Sequence, residues 1–154
     1  MALTTLGNTA FSTSAVVSAT IKDSAVVYNK LDANTAHTDR NQSFSVAQRG
    51  NISALGVQTS TVTLNMNTSN YFSLTANGNI TIANPTNLTA GQAGAIIVTA
   101  NGNYTTSFGS QWRFASGTAP TLSTTAGKVD RLDYVVQSSN TIHTIATIDL
   151  LGTA

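Results

Sequence analysis

The feature that most narrows what this chain can fold into is a period of two. Residues 59–66 read TSTVTLNM, which puts Val62, Leu64 and Met66 on one side of an extended backbone and mostly threonines on the other. Successive side chains of a strand point to opposite faces, so this alternation specifies one buried and one exposed face. The pattern continues in YFSLTA with Phe72 and Leu74, and in NITIA with Ile80 and Ile82. Those two runs meet at Asn77-Gly78, and AIIVTA meets NYTTSF at Asn101-Gly102. Asn-Gly suits the positive φ angles of a tight two-residue turn, so the spacing predicts an antiparallel hairpin at each place. The string TANGN, starting at Thr75 and again at Thr99, reads either as an internal duplication or as one turn solution used twice. A third hairpin is expected where RLDYVVQ meets TIHTIATIDL across Ser138, Ser139 and Asn140. Leu132, Tyr134 and Val136 alternate on its first strand, while Ile142, Ala146 and Ile148 share a face of its second.

What the chain lacks supports the same class. Only 8% of its 154 residues are charged and glutamate is absent, so Thr, Ser, Asn and Gly carry the polarity. Exposed helical surfaces depend on Glu, Lys, Arg and Gln, and there is little here from which to make one. The expectation is an all-β protein. Short strands joined by turn signals predict an antiparallel β-sandwich or jelly roll over residues 49–154, with a trimeric β-prism as the rival architecture.

Residues 1–48 follow another pattern. SAVV at Ser14 returns at Ser24, and Ile21 returns as Leu31, so Val16, Val17, Ile21, Val26, Val27 and Leu31 form two sparse apolar patches ten residues apart. A unit this short cannot bury its own apolar face and needs copies of itself or a partner surface. Residues 32–43 are polar apart from two alanines, which marks a linker. The expected organisation is therefore an N-terminal docking arm or short fibre-like repeat with its linker, residues 1–48, followed by a β domain, residues 49–154.

Charge and motifs exclude several function classes. A net charge of +1 with scattered Lys and Arg offers no basic stripe, so no nucleic-acid partner is expected. Without cysteine there is neither a disulfide framework nor a thiolate metal site. His37 and His143 stand apart from any second histidine at ligand spacing, so no metal or other cofactor is expected. Asp130 and Asp133 would point to opposite faces of a strand, which argues against shared acid–base work and for surface pairing with Lys128 or Arg131. No serine sits in a nucleophile-elbow setting, so no catalytic residue is expected. Trp112, Phe108, Phe114 and Tyr104 make the one aromatic concentration, which core packing explains best. A glycan-stacking platform built from Tyr71, Tyr104 or Trp112 is the functional alternative. The N-terminal residues lack a basic segment followed by an apolar run, and no stretch of about 18 apolar residues occurs. Synthesis in the cytoplasm without membrane insertion is the expectation.

The runs QRGNISAL, TLNMNTSNYFSLTANGNITIANPTNLTAGQAGAIIVT and SFGSQWRFASGTAPTLSTTAGKVDRLDYVVQSSNTIHTIATIDL together resemble a module of structural and fibre-like virion proteins of marine bacteriophages. That likeness spans roughly residues 48–150, and its most specific part is WRFASGTAPTLS followed by VDRLDYVV and then Ile142-His143. The opening repeat is similar to short repeats of phage fibre shafts. The resemblance implies a virion component without a catalytic set, made in the host cytoplasm. It would dock through its arm on capsid or tail proteins and assemble as a homotrimer. Complete tail fibres are much longer chains, so a short fibre, knob or capsid decoration protein is expected. The alternative is the glycan-binding, host-adhesion tip of a tail fibre.

Overall fold

The computed structural model describes Ala47 and residues 49–150, and the docking residues Val16, Val17, Ile21, Val26, Val27 and Leu31 lie outside them. Among the described residues the chain is all-β: nine strands, one 3₁₀ turn at Ala115–Gly117 and no α-helix. No helix there is long and apolar enough to cross a membrane.

Strands β1 (Ile52–Gln58), β3 (Tyr71–Ala76) and β5 (Ala93–Ala100) pair in parallel, each with the next. So do β2 (Thr61–Val62), β4 (Ile80–Ile82) and β6 (Thr106–Phe108), in a separate three-stranded sheet. The chain thus winds through three coils, and each coil lays one strand on each sheet, which is the path of a parallel β-solenoid. After β6 it runs through β7 (Trp112–Arg113) and a long loop into β8 (Val129–Ser138) and β9 (Thr141–Thr147). Strand β8 pairs antiparallel with β5 and with β9, while β7 lies parallel to β9, so the larger sheet has the order β1-β3-β5-β8-β9-β7 and is mixed.

The expected hairpins at Asn77-Gly78 and Asn101-Gly102 are corrected by this register. A tight Asn-Gly hairpin of the favoured kind needs positive φ at both central residues. Neither Asn77 nor Asn101 has it. Each is instead a corner where the chain passes from one sheet to the other, and its polar groups face the coil beneath. The Asn77 amide donates to the Gln58 carbonyl at 2.8 Å and the Asn101 amide to the Ala76 carbonyl at 2.9 Å. Gly78 lies so near the previous corner that a Cβ would stand 2.6 Å from the Thr59 carbonyl oxygen. The two TANGN strings occupy equivalent places on successive coils, with Thr75 beside Thr99 and Ala76 beside Ala100. The hairpin expected around Ser138–Asn140 does form, as β8 and β9.

Side-chain amides continue the stacking at several bends. Asn87 Nδ2 donates to Asn65 Oδ1 at 2.8 Å, Gln92 Nε2 to Asn70 Oδ1 at 2.8 Å, and Asn101 Nδ2 to Asn77 Oδ1 at 3.1 Å. Asn79 Oδ1 accepts from the Thr105 amide at 3.0 Å, and Asn84 Oδ1 from the Gln111 amide at 2.9 Å. An amide carries both donor and acceptor, so one residue type can satisfy the coils above and below it. This is the structural use of an Asn-rich sequence that is poor in charge.

The core lies between the sheets and follows the alternation read from the sequence. Phe72, Ile96 and Leu132 line up across β3, β5 and β8, all fully buried. Val62, Ile82 and Phe108 line up across β2, β4 and β6. Burying side chains of this size stabilises by about 1.5–3 kcal/mol each. Trp112 closes one side, edge-on to Phe108 at 6.4 Å and to Tyr134 at 6.4 Å, while Phe108 meets Phe114 at 4.8 Å. Tyr134 therefore belongs to the aromatic group, and Tyr104 stands outside it.

Asp130 is not a surface partner of Lys128 or Arg131, as the sequence suggested. It is buried on the inner face of β8 and accepts from Ser123 N, Ser123 Oγ and Asp149 N at 2.6, 2.8 and 2.7 Å. These bonds fasten the long loop and the segment that follows β9 to the sheet, while Lys128 pairs with Asp149 at 2.7 Å.

Two substitutions separate the core from the ladder. Phe72→Ala should cost about 3–5 kcal/mol of unfolding free energy in urea, the range for an unfilled aromatic cavity. Asn101→Ala removes one exposed amide rung and should cost about 1 kcal/mol.

Candidate functional site

The surface that stands out is the outer face of the six-stranded sheet. On a half-buried sheet this side should be polar. Here Ile52, Val57, Tyr71, Val135 and Ile145 project from it with 41–72% of their surface exposed. The pairing register arranges the face in transverse rows. One row runs Ile52, Tyr71, Ala95, Asp133, Ile145 over β1, β3, β5, β8 and β9, and the next runs Ala54, Ser73, Ile97, Arg131, Thr147 over the same strands. Val57 holds its place because β1 carries a bulge between Ala54 and Val57, with Gly56 at φ 70°. Leu55 faces the core by the ordinary alternation, and the extra residue after it returns the valine to the outside.

Arg131 and Asp133 sit together near the middle of this face. The Arg131 Nε and Nη2 atoms both reach Asp133 Oδ2 at 3.0 Å, and each side chain is about half exposed. Asp133 thus has the surface pairing with Arg131 that the spacing predicts, and Asp130 and Asp133 point to opposite faces of β8. Toward β7, Arg113, Val135 and His143 form a further row. With Ala115, Asp133 and Ile145 they line a shallow, mainly apolar groove of about 480 Å³.

The residues considered for glycan stacking do not converge. Trp112 is only 4% exposed and its Nε1 donates to the Ala83 carbonyl at 3.0 Å, so it presents no face to a ligand. Tyr104 lies half-buried at the corner between β5 and β6, beside Gly102. Tyr71 alone combines an exposed ring with a polar neighbourhood. Its ring packs on Gly50, where a Cβ would approach to 2.5 Å. Gly50 in turn borders a hollow of about 230 Å³ lined by Asn51, Asn67, Thr68, Ser69 and Asn70.

The inner partner of this region is Tyr134. Its hydroxyl donates to the Asn70 carbonyl at 2.8 Å, and the Ala95 amide donates to the same oxygen at 3.1 Å. Gly94 is required there, because a Cβ would collide with the Asn70 carbonyl. Burial, and then the Tyr71 hydroxyl, push the Tyr134 phenol up to about 12.

One sequence signal for the apolar outer face exists. The doublets Ile96-Ile97 and Val135-Val136 break the alternation and place an apolar side chain on both faces of the same strand. Compared with the models of known families, with curated proteins and with solved structures, the chain finds no match in any of the three.

The Tyr134 phenol fixes a pH dependence. Its folded-state pKa lies above the unfolded value near 10, so its contribution is complete below pH 10 and is lost as pH rises toward 12. The wild type should lose about 2 kcal/mol more than Tyr134→Phe over that interval, measured by urea unfolding at each pH.

Proposed function

We propose that this chain is a non-enzymatic structural component of a bacteriophage particle, a short fibre, knob or capsid decoration protein. Residues 1–48 dock it on capsid or tail proteins and the β module is displayed outward. The observation that carries this reading is the outer sheet face. Large apolar side chains stand in water on a chain of which only 8% of the residues are charged. Extended apolar surface of this kind marks a protein that works in contact with others. The likeness of residues 48–150 to phage virion modules supplies the setting. The three-fold grouping rests on the repeat in residues 14–31, whose apolar patches would close on one another along a common axis.

A second reading, a glycan-binding tip for host adhesion, is favoured by one observation. Tyr71 stands beside the hollow of asparagine, serine and threonine side chains, which is the mixture of aromatic face and polar rim that a sugar ring requires. Tyr71→Ala would then abolish binding on a glycan array with the circular dichroism spectrum unchanged.

Deletion of residues 1–41 should leave a folded β module that no longer enters particles, scored by copy number in purified virions. Truncated protein present at the normal copy number would refute the docking role of the arm.

A further inference from the structure

We infer that the outer face of the six-stranded sheet is a two-fold interface with a second copy of this chain, centred on Arg131 and Asp133. The inference deepens the reading as an assembling structural protein and rests on it for its setting.

Two properties of the face select a second copy as the occupant. The first is charge. Arg131 and Asp133 lie two residues apart on the same face of β8, fourth strand of the six-stranded order. Suppose a second sheet packs face to face with its β8 antiparallel, about a two-fold axis over Leu132. Each arginine then lies over the partner's aspartate, and each aspartate over the partner's arginine. A two-fold contact is self-complementary by construction, and this pair of opposite charges is the simplest pattern that meets the requirement. Both existing contacts of Arg131 fall on Asp133 Oδ2, which leaves Oδ1 open to a second guanidinium among the described residues.

The second property is shape, and it is independent of charge. The same axis superposes the two transverse rows on each other. Ile52 then faces the partner's Ala54, Tyr71 faces the partner's Ser73, and Ile97 faces the partner's Ala95. The in-register strands thus place a large residue over a small one at each of these three crossings. Sheets that pack face to face stand about 10 Å apart and interdigitate their side chains, which such alternation of size permits. A flat row of large residues would not mesh with itself. The resulting pair of modules is a β-sandwich formed between copies, with Ile145 covered beside the central charge pair.

The charge pattern supplies its own test, made with full-length protein and away from any particle. By sedimentation, R131D and D133R should each show half the mass of the wild type, with circular dichroism unchanged. Mixing differently tagged R131D and D133R should restore the wild-type mass and make the two co-purify, because every crossing then joins an arginine to an aspartate. The double variant R131D/D133R should associate with itself as the wild type does. Equal mass for wild type and both single variants would overturn the interface, as would a mixture that stays apart. Either result would leave the particle assignment to be judged by the arm deletion.

Discussion

The stacking of one coil on the next is the constraint from which the remaining structure follows. Each coil is too thin to bury its apolar side chains, and it contains no internal pairing that would hold it. Strands β1, β3 and β5 satisfy one another's backbone groups in parallel, and β2, β4 and β6 do the same. The corners, where backbone would otherwise be left without partners, are joined by asparagine and glutamine side chains. That arrangement accounts for a composition rich in uncharged hydrogen-bonding residues. A charged side chain at a corner would meet its own kind or an unmatched amide on the neighbouring coil, whereas an amide fits both above and below.

How much of this was legible in the sequence depended on whether the signal was local. Inside–outside alternation is local, so Val62, Leu64, Phe72, Leu74, Ile80 and Ile82 could be assigned to the core before any strand was placed. Pairing is not local. An Asn-Gly between two alternating runs is compatible with a hairpin or with a corner between sheets, and only the partner of the corner amide distinguishes them. The TANGN repeat was the available clue. It was muted because the coils are unequal: 19 residues separate Ile52 from its neighbour Tyr71, and 24 separate Tyr71 from Ala95. A fixed period is what makes a solenoid visible in a sequence, and insertions of a few residues remove it.

The same distinction holds for the candidate sites. Asp130 and Asp133 were separated correctly onto opposite faces by spacing alone, but nothing in the sequence shows that Ser123 and Asp149 converge on one of them. Trp112 and Tyr71 are equally aromatic in composition. The structure divides them, the first locked by its bond to Ala83 and the second left half in solvent. The apolar outer face had a signature in the doublets Ile96-Ile97 and Val135-Val136, which a strand with one buried face does not need.

The bulge at Gly56 has a consequence for how such modules can be arranged. A regular parallel strand at the margin of a sheet invites further strands, and a stack of coils with two regular margins could lengthen without limit into a filament. The kink in β1 interrupts the row of backbone groups halfway along that margin. Growth by adding coils end to end is therefore discouraged at this rim, and the pairing proposed for the broad side of the sheet would, unlike such a stack, close on itself and stop.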